Sequence, residues 1–144
     1  MTQKIIFPFV LALGIAVLVG CGNNIPLRGT VTYSDDGSPL TGGTVIFESG
    51  GSVSRGEIGR DGTYVVGTLR SNDGIPPGTY TVYLINTERT EEVPIFGGEE
   101  GDFRDVTIQT VAPRYTSPTT SDLTVTVDRS TRTFDFQVER HQSR

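Results

Sequence analysis

The chain has 144 residues and a formal net charge of −5, from 12 basic and 17 acidic side chains. That length suits one domain of ordinary size, and the negative balance gives a nucleic-acid partner no electrostatic footprint. One cysteine and one histidine exclude an internal disulfide and leave too few ligands for a zinc site, while 18 glycines and 8 prolines point to a turn-rich chain rather than a helical one.

Residues 1–20 read as an export signal. Lys4 and the amino terminus supply a weakly positive start, and Ile5 to Val19 an apolar run of 15 residues broken by Pro8 and Gly14. A spanning helix needs about 20 apolar residues, so a permanent membrane span is the poorer reading. The run closes on Leu18-Val19-Gly20-Cys21, which resembles the bacterial lipobox. The resemblance implies cleavage between Gly20 and Cys21 and a thioether-linked diacylglycerol on the Cys21 sulfur. Two or more acyl chains make a stable anchor, each buried CH₂ contributing about 0.8 kcal/mol. Gly22 is not the aspartate that marks inner-membrane retention in some bacteria, which favours the outer membrane. Residues 21–26 are then a short lipidated tether of at most about 20 Å. Beyond Gly20 the chain has 11 arginines, 17 carboxylates and no lysine, a net of −6.

From Leu27 the pattern has period two, the signature of strands. In LRGTVTYS, Leu27, Val31 and Tyr33 share a face; Asp35-Asp36-Gly37 and Pro39 then turn the chain. TVIFES places Val45 and Phe47 inward and Thr44, Ile46 and Glu48 outward, and SVSRGEIG is a weaker strand. Arg60-Asp61-Gly62 reads as a hairpin turn into TYVVGT, with Tyr64 and Val66 inward. Pro76-Pro77-Gly78 introduces TYTVYLIN, apolar on both faces and so central in its sheet or partly covered. LTVTVD and TRTFDFQVE, with Phe134, Phe136 and Val138 inward, complete about seven short strands. Strands with one apolar face need a second sheet over them, which predicts an all-β fold: a single seven-stranded antiparallel β-sandwich over residues 27–140. Residues 86–122 break the rhythm as a long loop. Within it Val106 and Ile108 are expected in a strand or docked segment, and Gly97 to Asp102 at an exposed acidic tip.

The stretches RGTVTYSDDGSPLTGGTVIFE, GRDGTYVV, GIPPGTYTVYL and PRYTSPTTSDLTVTV…FDFQV together resemble the carboxypeptidase-regulatory-like (transthyretin-like, prealbumin-like) sandwich of small bacterial lipoproteins. The resemblance covers most of residues 27–139 and implies a Greek-key sandwich in the cell envelope. Sandwiches of this kind are usually accessory or binding modules, and fold does not give function.

Enzymatic chemistry finds little support. A serine–histidine–aspartate triad would have to use His141, expected to fray beyond the last strand. A transthyretin-like hydroxyisourate hydrolase relies on several histidines and a Tyr-Arg-Gly-Ser ending, whereas this chain ends His-Gln-Ser-Arg. Lys–Asn crosslinking, known in related surface sandwiches, lacks its lysine. Asp35, Asp36, Asp61, Asp73, Glu99, Glu100, Asp102 and Asp105 offer hard oxygens, but without the D-x-D-x-D-G loop of a calcium site. No cofactor or metal is expected. The expectation is a non-catalytic, lipid-anchored envelope protein, outside the cytoplasm, that presents a binding surface near the membrane to an envelope protein or glycan, through an edge strand or the 86–122 loop bearing Phe96, Glu99, Glu100, Asp102, Phe103 and Tyr115. The alternative is a carbohydrate- or small-ligand-binding module, in which Tyr83, Phe96 or Tyr115 would be exposed beside a concave surface.

Overall fold

The computed structural model describes residues 23–97 and 101–142. The expected export signal over residues 1–20, with Gly20, and the expected sites Cys21, Glu99 and Glu100 lie outside the described residues. Among the described residues no helix is long and apolar enough to cross a membrane.

The fold is all-β. Its strands are β1 (Arg28–Tyr33), β2 (Thr44–Ser49), β3 (Ser52–Glu57), β4 (Thr63–Val65), β5 (Gly78–Ile85), β6 (Glu88–Pro94), β7 (Phe103–Gln109), β8 (Leu123–Val127) and β9 (Phe136–Val138), with one 3₁₀ turn at Pro113–Thr116. They form three sheets, ordered β4-β1-β9, β3-β2-β5-β8 and β6-β7. The seven-strand expectation is therefore corrected to nine among the described residues. The added pair, β6 and β7, comes from the segment expected to be a loop. A second correction concerns direction: β1 pairs with β9 in parallel, Val31 opposite Phe136 and Tyr33 opposite Val138.

The first two sheets share one core. Val31, Tyr33, Tyr64, Phe136 and Val138 from one meet Val45, Phe47, Tyr80, Val82, Leu84 and Val127 from the other. Phe47 sits at the centre, its ring 6.1 Å from Tyr64, 6.4 Å from Tyr80 and 6.3 Å from Phe134. These separations fall in the range of favourable aromatic pairing. The inward phases of β1, β4 and β5 match the period-two pattern, and β5 is central, flanked by β2 and β8. Ile46 departs from it. It points to the outer face of β2 and is still buried, because it lies between Tyr83 and Arg55 on the flanking strands. Tyr83 is held over this face by donating to Glu48 Oε2 at 3.0 Å.

The Arg60-Asp61-Gly62 turn carries the chain from one sheet to the other rather than closing a hairpin within a sheet. Asp61 Oδ1 accepts from the Thr63 N–H at 3.1 Å and its hydroxyl at 2.7 Å, and Gly62 takes φ 79°, a conformation costly for any other residue. The two sheets touch again where Arg55 and Gly67 exchange backbone hydrogen bonds of 2.9 Å.

The fold has two distinct ends. At one, the chain enters: Ile25 exchanges backbone hydrogen bonds of 2.7 and 3.0 Å with Ile75. β1 and β5 both start beside this bridge and run away from it. The opposite end holds the turn after β1, the start of β2 and the base of the β6–β7 pair.

Candidate functional site

β6 and β7 form a seven-rung antiparallel hairpin, from Glu88 opposite Gln109 to Pro94 opposite Phe103. At a rise of about 3.4 Å per residue it is an arm about 24 Å long. No residue in either strand is buried, in contrast to every strand of the other two sheets. Two-stranded hairpins are marginal alone in water, so the arm depends on its base.

The base is well built. Thr87 is buried, and its carbonyl accepts from the Thr110 hydroxyl. Gly43, at φ 103°, leaves room for Thr87: a Cβ there would come within 2.9 Å of its methyl group. The carboxyl-terminal segment pairs with the returning strand, Ala112 N–H donating to Glu139 O at 2.8 Å and His141 N–H to Thr110 O at 3.1 Å. The backbone at His141 is thus tied to the fold, which corrects the expectation of a frayed tail. Arg140 completes the clamp. Its guanidinium stacks on Tyr33, 3.7 Å from the ring centroid, and donates to Asp35 Oδ2 (2.8 Å), Asp36 Oδ2 (2.9 Å) and Ser38 Oγ (2.6 Å). The hydrogen bonds from Ser38, aided by the Arg140 charge, hold the Asp36 carboxyl down at about 2.

The arm has two unlike faces, because cross-strand partners share a face. One carries Val93, Val106 and Ile108 among Arg89, Glu91 and Arg104, with Arg89 and Glu91 ion-paired at 2.6 Å. The other carries Glu88, Glu92, Asp105, Pro94 and Phe103 and no cation. Glu92 stands directly opposite Asp105 on it. Glu88 is held below the ordinary carboxylate range, chiefly by the Gln109 amide at 2.9 Å. Beyond the last rung Ile95 N–H donates to Asp102 O at 3.0 Å, so the pairing continues toward the tip. Ile95, Phe96 and Phe103 are all exposed there, Phe96 completely.

Of the residues singled out in the sequence, the structure brings Phe96, Asp102 and Phe103 together at this tip. Tyr115 is elsewhere: it is buried at 4% exposure in the 3₁₀ turn, under the Arg114 guanidinium, which donates to its hydroxyl. Tyr83 lies half-buried on the outer face of the β3-β2-β5-β8 sheet. The three aromatics proposed as a ligand platform are not neighbours.

Two concavities stand out among the described residues. One, of about 560 Å³, runs between β3, β4 and the 67–72 loop and is lined by Arg55, Glu57, Val65, Leu69 and Arg70 among others. The other, of about 180 Å³, lies at the arm's base beside Arg140 and Thr87. None of Tyr83, Phe96 and Tyr115 lines either. Among the described residues every buried side-chain polar atom has a hydrogen-bond partner, and no three His, Cys, Asp or Glu side chains converge as a metal would require. The lowered carboxyls of Asp61, Asp73 and Asp128 belong to turns: hydrogen bonds from Thr63, from the Thr68 backbone, and from Ser130 are the largest causes.

No family model, no curated protein and no solved structure matches the chain.

Proposed function

We propose that this chain is a non-catalytic, lipid-anchored envelope protein that holds the β6–β7 arm out to a protein or glycan partner. The observation that carries the proposal is the arm itself: a hairpin outside the core, with a braced base and three exposed apolar side chains, Ile95, Phe96 and Phe103, near its tip. Exposed apolar clusters rimmed by charge mark interaction sites on soluble surfaces. The prealbumin-like sandwich reading agrees with two sheets facing across one core, and the lipobox-like Leu18-Val19-Gly20-Cys21 supplies the anchor.

Polarity supports the same function. The end where Ile25 enters lies closest in sequence to Cys21, and the arm leaves the opposite end. Six residues of β1 span about 20 Å, and the arm itself is about 24 Å long. The tip would then stand well clear of the surface that holds the lipid, where a partner in the envelope can reach it. The ligand-module alternative has a groove, but the aromatic side chain in its lining, Tyr64, is buried and offers no platform.

The test is photo-crosslinking from position 96 in intact cells, with and without residues 91–105. A partner captured by the full arm and lost on deletion, with the melting transition of the two-sheet body retained, supports the proposal. Unchanged partners after deletion refute the arm's role. Palmitate labelling that persists in Cys21→Ser refutes the anchor.

A further inference from the structure

The end of the fold where the chain enters carries four exposed arginines. Arg28 opens β1, and its N–H donates to Arg132 O at 3.1 Å, which brings Arg132 beside it. Arg129 lies in the turn after β8, whose last residue, Val127, pairs with Gly78 at the start of β5. Arg70 lies in the loop that leads through Gly74 into Ile75, the partner of Ile25. All four are exposed, and none makes an ion pair among the described residues.

Three carboxylates share this end: Asp135 beside Arg28, whose Oδ1 accepts from the Thr30 N–H at 2.8 Å, and two held in local turns. Asp73 accepts backbone N–H groups from Thr68 (2.6 Å), Leu69 (3.2 Å) and Arg70 (3.0 Å), and Asp128 accepts those of Ser130 (2.8 Å) and Thr131 (3.1 Å). Four arginines against Asp73, Asp128 and Asp135 leave this end positive by one in a chain whose overall charge is −5. The acidic excess is at the other end, on the arm.

The Asp73 clamp has a second effect. It fixes the 68–73 loop with Asn72 at φ 64° and presents Leu69 outward at 89% exposure beside Arg70. A rigidly displayed apolar side chain flanked by guanidiniums matches a bilayer interface, where the apolar group enters the acyl boundary and the arginines reach the headgroups.

We infer that this basic end, with the exposed Leu69 beside it, docks on anionic lipid headgroups and sets the domain upright on the membrane. The inference rests in part on the lipid anchor of the proposed function. Three residues separate Cys21 from Ile25, so the end stays within about 14 Å of the anchor. That is comparable with the distance of about 10 Å over which an anionic surface attracts in 0.1 M salt. Docking here points the arm away from the bilayer.

The test uses the chain extracted from membranes and reconstituted into vesicles of phosphatidylcholine alone or with phosphatidylglycerol. A nitroxide is placed by Leu69→Cys, or by Phe103→Cys on the arm. Protection of position 69 from an aqueous paramagnetic quencher on anionic but not neutral vesicles, reversed by Arg70→Gln with Arg132→Gln and absent at position 103, supports the inference. Equal access at position 69 on both vesicles, with the protein still floating with them, overturns it and leaves the anchor standing. Failure to float on neutral vesicles overturns the anchor instead. The basic end is then read directly from binding to anionic vesicles: a loss of roughly fivefold for each arginine removed sustains it, and no binding overturns it.

Discussion

Gly29 is the position where a single methyl group should do the most damage. Its φ is not positive, so backbone strain is not at issue. The obstacle is packing: a Cβ would lie 2.0 Å from Phe134 O, 2.8 Å from Phe134 C and 2.6 Å from the Tyr64 hydroxyl. Real Cβ contacts are essentially never under 3.0 Å, so the segment before β9 must retreat by at least an ångström. That movement breaks the bond from Phe134 N–H to Arg28 O (2.9 Å) and the one from Tyr64 Oη to Phe134 O (2.5 Å). Two hydrogen bonds at about 1 kcal/mol each, with overpacking of about 1–3 kcal/mol, give Gly29→Ala a cost of about 3–5 kcal/mol. In a domain of this size that lowers Tm by roughly 10–20 °C. Urea unfolding followed by circular dichroism measures it. Gly37→Ala is the control: nothing lies within 4 Å of its would-be Cβ, and only the φ of 70° is penalised, at about 1–2 kcal/mol. In a Tyr64→Phe background most of the Gly29→Ala cost should persist, because the carbonyl is the nearer obstacle. A Gly29→Ala cost no greater than that of Gly37→Ala, or one abolished by Tyr64→Phe, refutes the reasoning.

Asp36 should titrate near 2 in the native protein against 3.8 for an unperturbed side chain. Because its folded pKa is depressed, its contribution to stability is complete above 3.8 and fades as pH falls toward 2; a carboxyl ¹³C titration midpoint at or above 3.8 contradicts the Ser38–Arg140 cluster. Replacing Asp105 by Arg turns the repulsion with Glu92 into attraction, so amide exchange along β6 should slow by the equivalent of about 0.5 kcal/mol; unchanged exchange removes the like-charge pair from the account. Asp73→Asn weakens the acceptor for three backbone N–H groups, so exchange at Leu69 and Arg70 should quicken while the core amides keep their protection; global loss of protection would show the loop to be part of the core. Arg140→Ala should expose Tyr33 and speed exchange at Ala112 and His141, whose N–H groups close the clamp, and undisturbed amides there would mean the carboxyl-terminal clamp does not brace the arm.

The two-sheet body was largely legible in the sequence because its strands bury one face each. Burial forces alternation, and the alternation of Val31 with Tyr33, Tyr64 with Val66, and Val82 with Leu84 assigned faces correctly. The arm was not legible for the converse reason. A hairpin that buries neither face needs no apolar period, and ERTEEVP reads as a polar loop; only Val106 and Ile108 hinted at a strand. Tyr115 looked like a surface aromatic because its 3₁₀ turn has no strand phase from which to infer direction. Ile46 looked exposed because period two cannot see the Tyr83 ring on the neighbouring strand.

What the sequence determined by itself was local: where turns fall, which face of each strand is apolar, and the all-β class, since these depend on residues a few positions apart. The tertiary structure alone decided the parallel pairing of β1 with β9, the projection of the arm, and the gathering of Arg28, Arg70, Arg129 and Arg132 at one end. Those features join residues up to about a hundred positions apart, and their proximity is fixed by packing and backbone pairing between strands, which no local pattern encodes.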